Sequence, residues 1–197
     1  MVTSAPATPA RPAPASSFGH ALRRLYIVRF AFAIVWAGLF FATASVGGPL
    51  VTVLLIAYPL FDAGAVLWQL RAAPESDRSR VSEWVGVVVS TVVAVALGIA
   101  SSVSLSAALA VWGAWAIGAG IPQLISAIRN RRSGGQVPQM LSGGISLFAG
   151  TAFLVQGLQG SEMIAGVAGY AVLGGVFFLV SAIRLSILLR KSRRDGR

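Results

Sequence analysis

Residues 50–70 read LVTVLLIAYPLFDAGAVLWQL, and this stretch decides what kind of protein the chain forms. It contains one charged residue, Asp62, in an otherwise apolar run. An α-helix needs about 20 predominantly apolar residues to cross the ~30 Å hydrocarbon core of a bilayer. The stretch is therefore predicted to be a membrane-spanning helix.

Five further stretches have similar length and apolarity, which predicts an all-α polytopic membrane bundle. The six predicted helices are residues 25–45, 50–70, 82–100, 105–128, 138–157 and 163–189, within a transmembrane domain at 24–190. The composition agrees, because 56% of the 197 residues are hydrophobic and 11% are charged, whereas soluble proteins contain about 25% charged residues. We predict a disordered Ala/Pro-rich cytoplasmic tail at 1–23 and a basic cytoplasmic tail at 191–197.

The first apolar stretch has an alternative interpretation as a secretory signal. Residues 41–45 (FATAS) contain an A-x-A-like site of the kind that signal peptidases cleave. The long leader and the length of the apolar stretch favour a retained helix over a cleaved signal peptide.

Basic residues alternate between the connections of the predicted helices. Fifteen of the sixteen Lys and Arg residues lie in the tails, in the second and fourth connections or in adjoining helix turns, and residues 46–49, 101–104 and 159–162 contain none. Because Lys and Arg are enriched on the cytoplasmic side of a membrane, we predict a multi-pass protein of the cell (cytoplasmic) membrane with both termini in the cytoplasm. The net charge of +10 is expected to face anionic lipids of the inner leaflet, and not a nucleic acid.

The even-numbered helices resemble one another. Residues 114–129 (AWAIGAGIPQLISAIR) and 169–184 (GYAVLGGVFFLVSAIR) both end in Ser-Ala-Ile-Arg, 55 residues apart. The other positions in register are Trp115 with Tyr170, Gly120 with Gly175, and, between the third and fifth helices, Ser90 with Ser146; Tyr58, Gly64 and Arg71 follow the even-helix scheme loosely. This predicts three antiparallel two-helix repeats in one orientation, related by an axis along the membrane normal.

These repeats, together with the Gly-rich odd helix at 141–150 (LSGGISLFAG), resemble the HdeD family of small bacterial inner-membrane proteins. The resemblance covers about residues 24–190. It implies a six-helix inner-membrane protein, and some relatives are linked to acid resistance. It brings no active-site residues with it, and the chain lacks a proline that the family pattern leads us to expect after the third helix.

Asp62 is the only acidic residue deep within a predicted span, ~12 Å from the cytoplasmic end of its helix. Intramembrane carboxylates are rare and commonly functional. Arg29, ~6 Å inside the first helix from the same face, is the expected partner, and Tyr58 lies on the same segment as Asp62. Three interpretations are open: a structural ion pair, a protonatable site in a polar pocket, and a protonated, hydrogen-bonded Asp62.

Prolines and small residues are expected to shape the bundle. Pro59 and Pro122 each remove one helical hydrogen bond and are predicted to kink their helices. Gln123 and Gln156 are expected to form hydrogen bonds between helices. Small residues spaced four apart allow helix backbones to approach closely in lipid. The glycines predicted to mediate such packing are Gly98, Gly118, Gly120, Gly150 and Gly169.

Several function classes are disfavoured by what the chain contains. There is no cysteine, and the single histidine, His20, lies in the N-terminal segment. We therefore predict no catalytic residues, no cofactor and no metal site. The first hypothesis is a non-enzymatic HdeD-type membrane protein that supports acid or envelope stress tolerance. The alternatives are a small transporter or proton/ion pathway using Asp62, and an accessory or scaffolding subunit; a homo-oligomer or a membrane-protein partner is compatible with each.

Overall fold

A computed structural model describes residues 14–72, 81–129 and 137–195, which form six long helices. The helices are α1 (Pro14–Thr43), α2 (Pro49–Ala72), α3 (Val81–Val103), α4 (Leu105–Arg129), α5 (Val137–Leu158) and α6 (Gly166–Asp195). Each contains a segment that is long and apolar enough to cross a membrane. The chain is therefore a multi-pass integral membrane protein, and the predicted all-α six-helix bundle is confirmed.

The first and last helices of the chain, α1 and α6, extend into the segments predicted to be tails. Helix α1 begins at Pro14, within the tail predicted to be disordered, and α6 continues to Asp195, within the predicted basic tail. The extension of α1 packs against the predicted part of α6, because a Cβ on Gly19 would lie 3.0 Å from a side-chain carbon of Leu189. This contact with α6 supports helical turns of α1 that the Ala/Pro-rich composition alone does not predict. Residues 1–13 of the predicted tail and residues 196–197 lie outside the described residues.

The two ends of the bundle differ in their connections. We call the end at which α1 begins and α6 ends the terminal end, and the opposite end, with three short connections, the turn end. Gly47, Gly48 and Gly160 adopt positive φ values of 68°, 84° and 79° at the turn end, a region in which glycine is favoured. Ser104 alone separates α3 from α4, and its Oγ accepts a hydrogen bond from the Ala107 backbone N–H at 3.0 Å. These turns make consecutive helices antiparallel.

The helices form a ring in chain order, because each contacts the next and α6 contacts α1. Extensive contacts (α2 with α3, α4 with α5, α6 with α1) alternate with smaller ones (α1 with α2, α3 with α4, α5 with α6). The even helix of each predicted repeat thus packs mainly against the odd helix of the next repeat, and less against its own hairpin partner. This alternation matches the arrangement expected of three repeats about one axis. Among neighbouring helices of the ring, the smallest contact is between α5 and α6.

Glycines bring α4 and α5 into backbone contact. A Cβ on Gly113 would overlap the backbone of Leu154, and a Cβ on Gly157 would lie 2.5 Å from the Ala110 backbone nitrogen. Gly143 lies on the same interface. None of these three glycines was among the predicted packing positions. Because such approaches leave no room for a side chain, α4 and α5 pack as one unit.

The predicted packing glycines fall into two groups. Gly120 and Gly150 lie in the interface of α4 with α5, and a Cβ on Gly98 would lie 3.2 Å from Ile56 on α2. Gly118 and Gly169 make no such approach within the described part of the chain: a Cβ on either would meet no atom within 4 Å there, and both are exposed, so for these two the packing role stays a prediction. Four-residue spacing identifies a face on which a close approach is sterically allowed, but not whether that face meets a neighbour.

The repeat glycines have one packing role in two of the three repeats. A Cβ on Gly120 would lie 2.9 Å from the Ser146 Cβ on α5, and a Cβ on Gly175 would lie 3.1 Å from the Ala33 Cβ on α1. Gly64, at the corresponding position of α2, has open space around it among the described residues.

Large apolar side chains cover both the inside and the outside of the bundle. Trp36, Phe40 and Trp112 are at most 2% exposed and form the core of its turn-end half. Phe41 and Phe148 are 68% and 80% exposed on the outer surface. An outer surface of this kind is solvated by lipid tails, so it agrees with a membrane location.

Candidate functional site

Asp62 connects three helices through its two carboxylate oxygens. Oδ1 accepts a hydrogen bond from Arg29 Nη2 on α1 and forms an ion pair with it. Oδ2 accepts a hydrogen bond from Ser90 Oγ on α3 at 3.0 Å, and Ser90 is 3% exposed. The charge of Asp62 is therefore neutralised and both of its oxygens have a donor, as an intramembrane carboxylate requires.

An aromatic ring on α6 supports the guanidinium of Arg29. The Arg29 Cζ atom lies 4.2 Å from the ring centroid of Phe178, which is cation–π geometry. Tyr26, one turn before Arg29, stacks on the same Phe178 ring with the centroids 6.2 Å apart. Four helices thus meet at this site: α1 and α2 provide the ion pair, α3 a hydroxyl donor and α6 the ring beneath the cation.

A cavity of about 310 Å³ adjoins the ion pair. Side chains of α1, α2, α4, α5 and α6 line it. The side chains of Arg29 and Asp62 are 13% and 25% exposed, so the pair is not sealed inside protein. The hydrogen-bonding side chains of the lining are Tyr26, Arg29, Tyr58, Asp62, Trp115, Gln123, Gln139, Ser142, Ser146, Tyr170 and Ser181.

The aromatic position of the sequence repeat lines this cavity in all three copies. Tyr58, Trp115 and Tyr170 are all lining residues, and the ring centroids of Tyr58 and Trp115 are 6.2 Å apart. Tyr170 shares a hydrogen bond of 2.9 Å with Ser146 on α5. Because the repeats are arranged about an axis, a residue repeated in sequence recurs around that axis, and its three copies meet at the centre of the ring.

A packed aromatic cluster closes the cavity toward the turn end. Trp36 lies 4.7 Å from Tyr58 and 5.6 Å from Trp112, measured between ring centroids. The Trp36 indole N–H donates to the Leu54 backbone carbonyl at 2.7 Å, which ties α1 to α2. Trp36 and Trp112 are 2% and 0% exposed. In the described ranges, the cavity is thus a feature of the terminal-end half of the bundle and does not cross it.

The seam between α5 and α6 borders the cavity. Near the turn end, a Cβ on Gly166 would lie 3.3 Å from the Phe153 ring, and the Ser146–Tyr170 hydrogen bond lies further along the seam. Beyond that bond, Ser142 on α5 and Ser181 on α6 line the cavity. The two helices therefore meet near the turn end and have the cavity between them toward the terminal end.

The structure brings the three predicted polar residues, Arg29, Tyr58 and Asp62, to one site. Pro59 is buried in α2 three residues before Asp62, and the helix continues through it. Pro122 is exposed, and α4 likewise continues through it. The predicted kinks stay predictions. Gln123, which follows Pro122, reaches the Gln139 carbonyl on α5 at 3.5 Å, the interhelical role expected of it.

No family model, curated protein or solved structure matches this chain. The candidate site therefore rests on its own geometry. In residues 14–72, 81–129 and 137–195, no three His, Asp or Glu side chains form a group that could hold a metal ion. The chemistry available at the site is that of hydrogen bonds, one ion pair and aromatic walls.

Sequence reasoning assigned no role to two residues of the site, Ser90 and Phe178. The repeat alignment placed Ser90 in register with Ser146, and these two are the buried polar residues of the described core. Each bonds a side chain on an even helix, Asp62 and Tyr170 respectively. The recurrence of serine at one repeat position was therefore a usable signal in the sequence. Phe178 is one of three aromatic residues of the apolar helix α6, and nothing in its sequence context distinguishes it.

Proposed function

We propose that this integral membrane protein is a non-enzymatic small transporter that binds a polar solute in the cavity beside Arg29 and Asp62. The observation that carries the proposal is the open volume of about 310 Å³ against a partly exposed ion pair. A pair that only pinned two helices together would be expected to be enclosed by packed side chains. The volume is at the lower end of the ~300–1,000 Å³ typical of small-molecule sites.

The proposed orientation places the cavity on the cytoplasmic side of the cell membrane. The described basic side chains of the terminal end are Arg23, Arg24, Arg71, Arg129, Arg184, Arg190 and Lys191. By the positive-inside rule this end faces the cytoplasm and its anionic lipid headgroups. The cavity then opens inward while the aromatic cluster of Trp36 and Trp112 closes the outward path.

Transport also requires a second conformation, and the packing favours one route to it. The extensive contacts define three helix pairs, and the smaller contacts between the pairs form seams. Rigid pairs that tilt about weak seams are a common way to change access to a central site. The cavity lies at the weakest seam, between α5 and α6. A proton or ion pathway would use the same Asp62, and an accessory subunit would instead use the apolar outer surface.

Cysteine labelling tests whether the cavity admits solutes, and the chain contains no native cysteine to interfere. Ser142 lines the cavity, whereas Gly144, two residues along α5, lies outside it with open space around it among described residues. In inside-out membrane vesicles, a membrane-impermeant methanethiosulfonate carrying a sulfonate should label the Ser142→Cys variant and leave the Gly144→Cys variant in lipid unlabelled. Equal labelling of the two variants, or none of Ser142→Cys, would contradict the proposal.

The resemblance to the HdeD family supports the proposal that the protein contributes to acid or envelope stress tolerance in the cell. We expect a strain lacking this protein to survive acid challenge less well, with survival restored by the wild-type chain and not by Asp62→Asn at matched membrane abundance. Rescue by both chains would make the carboxylate unnecessary for the role. Unchanged survival of the deletion strain would remove acid tolerance from the proposal and leave the cavity test standing.

A further inference from the structure

We infer that the solute is a small organic anion, whose acidic group binds Arg29 while its apolar part lies against the aromatic walls. This inference rests on the proposed function, since it names the class of solute that the cavity takes. Three independent features carry it: the balance of hydrogen-bond donors and acceptors, the shape of the arginine site and the charge at the terminal end of the bundle.

Hydrogen-bond donors outnumber acceptors at the ion pair. Both oxygens of Asp62 already accept, from Arg29 and from Ser90. The hydroxyls of Ser146 and Tyr170 bond each other. A guanidinium has five N–H donors and no acceptor, and in the described part of the chain Arg29 has one side-chain acceptor, Asp62 Oδ1. The group that completes this site is therefore a hydrogen-bond acceptor.

The position of the guanidinium suits a planar acidic group. Phe178 covers one face of it at 4.2 Å, which leaves the in-plane N–H groups as its means of binding. Arginine presents these groups as a rigid fork that matches a carboxylate with two parallel hydrogen bonds. Tyr58, Trp115 and Phe177 provide aromatic lining around the remaining volume. A carboxylate attached to a flat apolar group satisfies both halves of the cavity.

The charge at the terminal end of the bundle favours the same class. Among described side chains near the terminal end, seven are basic (Arg23, Arg24, Arg71, Arg129, Arg184, Arg190 and Lys191) and one, Glu83, is acidic. Clustered charge of one sign raises the local concentration of oppositely charged solutes. A cationic solute would meet this positive end of the bundle and then compete with Arg29 for Asp62. The terminal end and the ion-pair site thus both favour anions.

The test compares three ligands of nearly equal shape: benzoate, benzamide and benzylamine. Each is titrated into the full-length protein in nanodiscs, and binding is measured by calorimetry. Benzoate should bind at least about tenfold more tightly than benzamide, because a charge-assisted hydrogen bond is stronger than a neutral one. Arg29→Lys, which keeps the charge and removes the fork, should weaken benzoate binding, whereas Thr151→Ala on the outer surface of α5 should not change it.

A second readout leaves the Arg29–Asp62 ion pair unaltered. Benzoate should slow sulfonate labelling of the Ser142→Cys variant in a concentration-dependent manner, while benzylamine should not. Equal or tighter binding of benzamide or benzylamine would overturn the anion assignment while the proposed binding function stood. Absence of binding by all three ligands, with no protection of Ser142→Cys, would also overturn the anion assignment. Failure of Ser142→Cys to label at all is the separate result that contradicts the proposed function.

Discussion

At the scale of single residues, the site is decided by how a charge is accommodated in an apolar helix. An isolated carboxylate deep in a bilayer is costly, so such a group is found paired. Asp62 is paired with Arg29 on the helix before it and hydrogen-bonded by Ser90 on the helix after it. The pair nevertheless borders open volume. The same two residues can therefore stabilise the bundle and present charge to a solute.

The ion pair is expected to show strong energetic coupling. Arg29→Gln and Asp62→Asn should each lower the free energy of unfolding, because each leaves the other charge without its partner. The double variant should lose less than the sum of the two single losses, with a coupling energy of about 1–3 kcal/mol. Unfolding in mixed detergent micelles measures all four chains. Additive losses, like those expected for Asp62→Asn with the distant Thr151→Ala, would show that the pair contributes no net attraction.

At the scale of helices, glycine decides which helices become a unit. In lipid there is little hydrophobic driving force between helices, so close backbone approach supplies much of the association. The contact of α4 with α5 has glycine on both helices, at Gly113, Gly120 and Gly150 among others. The contact of α5 with α6 is the smallest in the ring. Helix α5 is thus held mainly by α4 and only lightly by α6.

Adding one methyl group should destabilise the protein at a glycine of α4 and should not destabilise it at a glycine of α5. Gly113→Ala should lower the free energy of unfolding by about 1–3 kcal/mol, because the new Cβ would overlap the Leu154 backbone. Gly144→Ala, with open space around its site in the described ranges, should be neutral or stabilising by up to about 1 kcal/mol through helix propensity. Unfolding in mixed micelles measures the free energy of unfolding of both variants. Equal changes for Gly113→Ala and Gly144→Ala would show that α4 and α5 are not in backbone contact.

The Ser146–Tyr170 hydrogen bond should restrain the seam between α5 and α6. Tyr170→Phe removes the hydroxyl, and the loss of about 1 kcal/mol corresponds to about a fivefold change in an opening equilibrium. Sulfonate labelling of the Ser142→Cys variant should accelerate by a similar factor. Thr151→Ala is the control, because the Thr151 hydroxyl bonds the Leu147 carbonyl of its own helix. An unchanged labelling rate for Tyr170→Phe would show that the bond does not limit access.

At the scale of the whole molecule, the ring combines a repeated architecture with an asymmetric centre. The three copies of the repeat aromatic, Tyr58, Trp115 and Tyr170, all reach the cavity. The ion pair occurs in one sector, formed by α1 and α2. The scaffold is repeated, but the ion pair lies on one side of the central cavity. A cavity with one polar side can bind a solute in one defined orientation.

The orientation of the whole molecule is tested at its two ends. Glu162 lies exposed at the turn end and Lys191 lies exposed at the terminal end. The experiment uses cells whose outer layers have been removed while the cell membrane stays intact. An impermeant thiol reagent should label Glu162→Cys in these cells. It should label Lys191→Cys only after the cell membrane is permeabilised. The basic terminal end is expected to remain inside by the positive-inside rule. The reverse labelling pattern would invert the proposed topology and place the cavity on the outer side.

The number of spans, their order and the sites of Asp62 and Arg29 were readable from the sequence, because they depend on local properties. A helix satisfies its own backbone hydrogen bonds, so apolar length alone identifies a span. Once the spans are identified, charged residues and repeated residues within them stand out against the apolar background. Arg29 could be paired with Asp62 because a short turn makes their helices neighbours and because an extended arginine side chain can cover the difference in their expected depths.

The rotation of each helix and the extent of each contact were decided only in the tertiary structure. In water, an apolar stripe reveals the buried face of a helix, but lipid tails are as apolar as a protein core, so the two faces look alike in sequence. That is why the outward-facing Gly118 and Gly169 resembled the buried Gly120 and Gly150. It is also why the dominance of contacts between repeats, the role of Phe178 and the cavity itself emerged only when all six helices were placed together.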